Sequence, residues 1–371
     1  MPTRGTVRFS GSDQVVMLWW GGVLGFGVAA ATAAFITPLA RRAAVRYDVL
    51  DRPREGKSHG VPVPYLGGFA ILSGVVIGSM IGGAMTVLQG VGVGGLVIAA
   101  SGFADDLWGL PASFRLALQL TAAAALVASG VQAAPTGSPA IDVILSVLWI
   151  VGITNAFNLL DNMNGLSAGV AGVSSFLLFV MATFQGQYAI AALAIGISGA
   201  CLGFLPYNYP RARIFMGDGG SLPLGFLIAV VSLRIEFPIP PLYGFAAVVC
   251  FLAVPVIDTS VVVVDRLVGG RGVARGGTDH VSHRLVGLGL SPVVAVAALL
   301  VLTGLSSLVG LVAGRGLVPL HWLTLNVMAA ALFGAWMLCV VPARLDRERL
   351  GGRAPRALPL SAGGRRIGER R

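Results

Sequence analysis

The sequence predicts an all-α, polytopic membrane protein with about ten or eleven transmembrane helices, and three observations carry that reading. Hydrophobic residues make up 56% of the 371 and charged residues only 11%, whereas a soluble domain carries about 25% charge. Apolar stretches recur along most of the chain at lengths close to the roughly 17–25 residues that a helix needs to cross a bilayer. Glycine is abundant, at 52 residues, and small residues let helices approach closely where lipid supplies no hydrophobic drive between them.

Eleven spans follow from this pattern: 14–39, 67–87, 89–104, 115–131, 140–157, 166–184, 188–205, 221–235, 242–264, 292–313 and 319–341. The third, fifth and eighth are short or interrupted. The first has too long an apolar run for a cleaved signal peptide, whose core is about 7–15 residues. With the N-terminus outside, the segments 40–66, 105–114, 158–165, 206–220, 265–291 and the C-terminal segment all fall inside. Of the 26 Lys and Arg residues, only Arg4, Arg8, Arg234 and Arg315 then lie on the other side, the bias that marks cytoplasmic loops. Residues 1–343 are expected to form one transmembrane domain. Residues 344–371 form an Arg/Gly-rich tail, expected to be disordered and drawn to anionic lipid.

The formal charge of +10 is spread over short segments between apolar runs. No compact basic domain exists, which argues against nucleic acid as a partner. Cys201, Cys250 and Cys339 lie in apolar stretches without paired spacing, so neither a disulfide framework nor a zinc site is expected. They read as packing residues.

The unusual polar residues gather on the side that the basic loops identify as cytoplasmic. Asp105 and Asp106 end the third span in GFADDLWGL. Adjacent carboxylates repel unless a cation is shared, and magnesium favours such oxygen ligands while leaving room for substrate phosphates. Asn155, Asn158, Asp161, Asn162 and Asn164 end the fifth span in NAFNLLDNMNGL. Asn155, Asn158, Asp161 or Asn162, and Gly165 recur at three-to-four-residue spacing and would form a polar stripe on one helical face. Amides in an apolar span can also serve as interhelical glue. Asp218 lies in RIFMGDGGS, where glycines allow the backbone N–H groups to approach a phosphate.

His280, His283 and Arg284 lie in TDHVSHRL. The two histidines, three apart and beside the arginine, would share a helical face if that segment is helical, which suggests anion recognition more than metal ligation. Lys57, the sole lysine, and His59 precede a Pro-rich turn in DRPREGKSHGVPVPYLGG. Asp258, inside the ninth span, is costly in lipid unless it faces the bundle interior. Arg266 or a loop backbone is a candidate partner, alongside a catalytic role.

These segments, in this order, resemble the polyprenyl-phosphate N-acetylhexosamine-1-phosphate transferase family, from about Arg41 to Leu290. The resemblance implies a magnesium-dependent membrane enzyme, with manganese as an alternative ion. Such an enzyme transfers a sugar 1-phosphate from a UDP-sugar to a polyprenyl phosphate and releases UMP. It implies a bacterial plasma membrane location, with the site on the cytoplasmic side, and leaves room for a homodimer. The chain is closer to the N-acetylglucosamine-1-phosphate branch than to the branch acting on UDP-MurNAc-pentapeptide, which carries three consecutive histidines followed by Phe-Glu.

Two departures stand out against the resemblance. The glucosamine branch usually shows His-x-His-His, and Ser282 stands where one histidine is expected. The family pattern Asp-Gly-x-Asp-Gly-Leu reads here Asp161-Asn162-Met163-Asn164-Gly165-Leu166, so Asn162 replaces a glycine and Asn164 an aspartate. An amide can bind oxygen but supplies neither charge nor a base, so reduced activity or a different amino sugar is an open alternative.

By that resemblance magnesium falls on Asp218, with Asp105, Asp106 or Asp161 near it. Asp105 is the expected handler of the lipid-phosphate proton and Asp106 supports metal or substrate. Asn155, Asn158, Asn164 and Asp161 are assigned to the nucleotide or metal-bound water. His280, His283 and Arg284 are assigned to the diphosphate or sugar, and Lys57 to the lipid phosphate. A one-step displacement and a covalent aspartyl intermediate both stay open. A transporter would instead place its polar groups near mid-bilayer on interrupted helices of repeated halves, and no internal repeat is seen.

Overall fold

A computed structural model describes residues 11–52, 61–272 and 277–340. Thirteen helices account for nearly all regular structure among these residues. They are α1 (Gly11–Arg46), α2 (Gly67–Gly82), α3 (Met85–Trp108), α4 (Ala112–Ala128), α5 (Pro139–Leu160), α6 (Leu166–Phe184) and α7 (Tyr188–Asn208). There follow α8 (Asp218–Arg234), α9 (Pro241–Phe251), α10 (Ala253–Val268), α11 (Val281–Gly287), α12 (Pro292–Gly314) and α13 (His321–Val340). Seven helices are long and apolar enough to cross a membrane, and the bent pair α9–α10 brings the number to eight. The chain is thus an all-α, multi-pass membrane protein. Each predicted span is occupied by helix; α2, α4 and α8 are the shortest of those that form a span without a break.

The ninth span, expected to run unbroken, is two helices that meet at Leu252 with a bend of 80°. Pro255 gives the reason. It has no N–H, and its ring clashes with the carbonyl four residues earlier, that of Phe251. Carbonyls freed at such a break must find donors, since lipid offers none. Ser174 Oγ donates to Phe251 O at 2.8 Å and Ser306 Oγ to Cys250 O at 2.8 Å. Hydroxyls on α6 and α12 therefore stabilise the kink.

α8 is the centre of the bundle: from Gly219 to Leu233 every residue is buried. It packs on α3 and α5, while α1, α2 and α7 form a neighbouring layer. Small residues make that layer close. A Cβ on Gly203 of α7 would fall 2.1 Å from the Ala30 carbonyl of α1, so the two backbones touch.

Two short strands, β1 (Leu50–Asp51) and β2 (Val63–Pro64), pair antiparallel and close the loop between α1 and α2. The chain then runs beside the segment that leads into α8. Phe215 N donates to Pro64 O at 2.8 Å, and Gly67 N and Gly68 N donate to Phe215 O and Met216 O at 2.9 Å each. This stitch brings Tyr65 and Asp51 beside Asp218. Lys57, His59 and the tail lie outside the described residues. The three cysteines are free, Cys201 and Cys250 being buried and Cys339 exposed.

Candidate active site

The ends of α3, α5 and α7, the starts of α4 and α8, and the segment around α11 converge on one polar region. At its centre is Asp218, the first residue of α8. The turn before it needs Gly217, which adopts φ 73° and ψ 174°, a region open essentially to glycine alone. Asp106, in the last turn of α3, caps α8 from outside: its Oδ1 accepts from Asp218 N and its Oδ2 from Gly219 N, both at 2.9 Å. A carboxylate on a helix N-terminus satisfies orphan donors and complements the helix dipole. The helices can come so near because of Gly102 on α3, where a Cβ would lie 2.3 Å from Asp218 O.

Asp105 points elsewhere. Its Oδ1 accepts from Leu110 N and its Oδ2 from Arg115 Nη1, each at 2.5 Å. The same Arg115 Nη1 donates to Asp218 Oδ2. Arg115 therefore bridges two carboxylates from α3 and α8. Asn158 Nδ2 of α5 donates to the other oxygen, Asp218 Oδ1, at 2.8 Å and to Ser221 Oγ at 3.0 Å.

In front of Asp218 lies a cavity of about 320 Å³, lined among others by Asn158, Asp161, Asn162, Asn164, Asp218 and His283. That volume is within the range for small-ligand sites, roughly 300–1,000 Å³. Asp161 caps the C-terminal end of α5. Burial, and then the carboxylates of Asp218 and Asp106, push its pKa well above the ordinary value. Tyr65, just after β2, also lines the cavity. Burial and its hydrogen bond and charge contact with Asp51 raise its phenol pKa, so it stays a neutral donor. A second, polar cavity of about 400 Å³ adjoins, lined by Asp48, Asp51, Arg52, Tyr65 and Asp106.

The other expected residues are placed differently. Asn155 turns to α4, where its Nδ2 donates to Gln119 Oε1 at 2.5 Å; it is interhelical glue and does not line the cavity. Asn164 lines the cavity, and its Nδ2 donates to Pro210 O at 3.2 Å.

His280, His283 and Arg284 do not share a face. α11 begins only at Val281, with His280 extended at φ −67° and ψ 152°. The buried His280 meets Asp258 through Nδ1 at 2.8 Å, and Val281 N donates to Asp258 Oδ1 at 2.8 Å. Asp258 is thus held by His280 and the α11 backbone rather than by Arg266. Arg266 forms a buried two-point pair with Asp279, at 2.8 and 3.0 Å. Burial works against the Asp279 charge, but Arg266 outweighs it and holds that carboxyl below its ordinary range.

Arg284 is buried as well. It lies 3.1 Å from Asp265 and donates to Asp279 O and Met337 O at 2.9 Å. Its place is in a charge network tying α10, α11 and α13. Of the three residues only His283 reaches the cavity.

Sequence reasoning missed Arg115, Gln119, Tyr65 and Asn208. Asn208 Oδ1 accepts from Gly165 N at 2.7 Å and its Nδ2 donates to Ile214 O at 3.0 Å, joining the α5–α6 loop to the segment before α8. A signal existed for two of them. Arg115 and Gln119 are isolated polar residues four apart in an apolar span, hence on one helical face.

The sequence profile of Glycosyl transferase family 4 matches residues 88–236, which contain Asp105, Asp106, Asn158, Asp161 and Asp218. The chain is 34% identical over 280 residues, 72% of this chain and 78% of the relative, to the "Probable undecaprenyl-phosphate N-acetylglucosaminyl 1-phosphate transferase" of Bacillus subtilis. It is 33% identical over 304 residues, 70% of this chain and 75% of the relative, to the decaprenyl-phosphate N-acetylglucosaminephosphotransferase of Mycolicibacterium smegmatis. Against the phospho-N-acetylmuramoyl-pentapeptide-transferase of Staphylococcus saprophyticus the match is 40% over 119 residues, covering 32% of this chain and 37% of that protein. The long matches run to the glucosamine enzymes and the short one to the pentapeptide enzyme, and the chain belongs to Glycosyl transferase family 4, on its N-acetylglucosamine-phosphate branch.

Proposed function

We propose that this protein transfers N-acetylglucosamine 1-phosphate from UDP-N-acetylglucosamine to a polyprenyl phosphate, releasing UMP, at the cytoplasmic face of a bacterial plasma membrane. The reaction would be the first membrane step of a cell-envelope glycan. One observation carries the reading: Asn158, Asp161, Asp218 and His283, from well-separated segments, meet on one polar cavity at the helix ends.

Magnesium, with manganese as a substitute, is the inferred cofactor. The donors at the cavity are hard oxygens, the carboxylates of Asp161 and Asp218. Among the described residues no three His, Cys, Asp or Glu side chains converge to cage an ion unaided. Magnesium is suited to such a site, since it keeps waters and takes substrate phosphates alongside one or two carboxylates. Asp218 and Asp161 would hold it. When bound, the ion neutralises negative charge on the diphosphate.

In the reaction an oxygen of the polyprenyl phosphate attacks the β-phosphorus of the UDP-sugar. The bond from that phosphorus to the α–β bridging oxygen breaks, and the electron pair leaves with UMP. Such a transfer asks the protein mainly for positioning and charge neutralisation. Asp105 receives the proton of the lipid phosphate where that group arrives protonated. Arg115, shared by Asp105 and Asp218, fixes the acceptor side relative to the donor side. Asp106 acts through α8, because both its oxygens hold the N–H groups that set Asp218 in place. His283 and the neutral Tyr65 hydroxyl are directed to the phosphates and sugar of the donor, and Lys57 to the lipid phosphate.

The test is incubation of the purified protein with magnesium, polyprenyl phosphate and a panel of UDP-sugars, reading UMP release and the mass of the lipid product. Asp218→Ala is expected to abolish magnesium-dependent transfer. Normal turnover by a folded Asp218→Ala protein would remove Asp218 from the metal role. A lipid product of another mass would assign another amino sugar, the alternative favoured by Asn164 standing for an aspartate.

A further inference from the structure

Two of the three positions at which the chain departs from the family pattern, Asn162 and Ser282, are 120 residues apart in sequence and touch in space. Ser282 Oγ donates to Asn162 Oδ1 at 2.6 Å. The amide is fixed at its other end too, because Asn162 Nδ2 donates to Leu159 O at 2.8 Å. That carbonyl is in the last turn of α5, where helix carbonyls lack partners. Asn162 thus closes the end of α5 with one atom and holds α11 with the other.

Its neighbours give the contact meaning. Asp161 precedes Asn162, His283 follows Ser282, and both Asp161 and His283 line the cavity in front of Asp218. The hydrogen bond is one residue from each. α11 is also anchored to Asp258 of α10 and through Arg284 to Met337 of α13. Neither of those two anchors reaches the α5–α6 loop, which the Ser282–Asn162 bond does.

We propose that Asn162 and Ser282 form a compensated clamp that sets the spacing of Asp161 and His283 across the cavity and so positions the sugar-phosphate part of the donor. The two departures are then one coupled change. Ser282 has no exposed surface, so an imidazole at 282 has no room while the Asn162 side chain is present. A glycine at 162 would vacate that space. Asn with Ser, or Gly with His, is self-consistent; a mixed pair leaves either a clash or a void. Ser282 is a positioning residue acting through Asn162 and His283, and Asn162, which also lines the cavity, positions Asp161.

This inference rests on the reading that the cavity takes a UDP-sugar, and the test separates the two. Full-length protein is purified as wild type, Ser282→Ala, Ser282→Thr, Asn162→Ala, the double alanine variant, Asn162→Gly, Ser282→His, and Asn162→Gly with Ser282→His. For each, KM for UDP-N-acetylglucosamine, KM for polyprenyl phosphate, kcat and the thermal midpoint are measured. Loss of one buried hydrogen bond should raise the donor KM about 5–10-fold, leaving the polyprenyl-phosphate KM within about twofold.

The double alanine variant should be no worse than either single one, as expected of coupled partners. Ser282→Thr, which keeps the hydroxyl, should rescue the donor KM. The Gly/His double variant should bind donor better than Ser282→His alone. Additive effects, or a wild-type donor KM in Ser282→Ala even with a lowered midpoint, would overturn the clamp. If wild type releases no UMP from any UDP-sugar, the functional reading fails. The alanine cycle in thermal midpoint then decides the clamp alone, and additivity there overturns it.

Discussion

Replacing Gly217 by alanine tests the geometry on which the site depends. Two costs arise at this residue. Its backbone, at φ 73° and ψ 174°, is strained for any residue with a Cβ, at about 1–3 kcal/mol. The new methyl would also lie 2.5 Å from Asp106 Oδ2, nearly 1 Å closer than the 3.4 Å at which ordinary contact begins. The carboxylate must therefore swing away from Asp218 N and Gly219 N, and loss of a helix cap costs about 0.5–2 kcal/mol. Together the destabilisation is about 1.5–5 kcal/mol.

The effect on turnover should be larger than that figure suggests, because Asp218 moves with the turn. A misplacement of about 1 Å near a reacting centre costs on the order of 100-fold in rate. Gly130→Ala is the control. That residue also has a positive φ, 94°, but a Cβ there meets nothing within 4 Å. Melting in detergent and UMP release would be measured for both variants. Gly217→Ala should lose stability and about 100-fold in kcat, and Gly130→Ala stability only. A Gly217→Ala protein with wild-type midpoint and kcat would refute the claim that Asp106 and Gly217 together fix Asp218.

Asp161→Asn should stabilise the substrate-free protein at alkaline pH, with the gain shrinking as the pH falls. The sign follows from the raised pKa of Asp161: the stability that goes with its neutral form is complete below the unfolded-state pKa and lost as pH rises through the folded-state value. A midpoint shift equal at every pH would contradict this. Arg115→Ala should lower kcat while reducing, about tenfold, the magnesium needed for half-maximal activity. A unit charge about 5 Å from a divalent ion matters by more than about 1 kcal/mol even at the dielectric of water; an unchanged or higher magnesium requirement would count against the bridge. Arg266→Met should destabilise by up to about 3–5 kcal/mol by leaving the buried Asp279 charge with the longer contact to Arg271, at 3.7 Å. Adding Asp279→Leu should restore most of the loss in a melting experiment, and no restoration would mean the pair is not the source.

The spans were legible because hydropathy over some twenty residues is a property of the chain itself. The break in the ninth was not, since the apolar run continues through Leu252 and only Pro255 marks it. The convergence of Asp105, Asp161 and Asp218 could be read from alternation of the spans, which puts their loops on one side. What each side chain faces could not. Asn155 and Asn158 sit three apart on α5, yet one meets Gln119 and the other Asp218, because α4 and α8 flank α5 on different sides. His280 and His283 diverge because the chain is extended at the first and helical at the second. Arg284 looked like an anion-binding group by virtue of its charge, and its engagement with Asp265 and two carbonyls depends on α10 and α13, distant in sequence.

The aspartate pair shows why carboxylate count alone misleads at such a site. Consecutive residues on a helix point about 100° apart, as 3.6 residues per turn requires, so Asp105 and Asp106 cannot both reach one ion from the same approach. One faces α4 and takes a guanidinium; the other faces α8 and takes two backbone N–H groups. Each thus has partners within the protein. Among the described residues Asp161 has neither kind of partner, and its carboxyl is driven toward neutrality by burial and by Asp218 and Asp106. A carboxylate with that imbalance gains from an incoming cation, since neutralising it removes the penalty of its burial. Within the proposed mechanism, then, Asp161 is where divalent-ion binding should couple most strongly to stability.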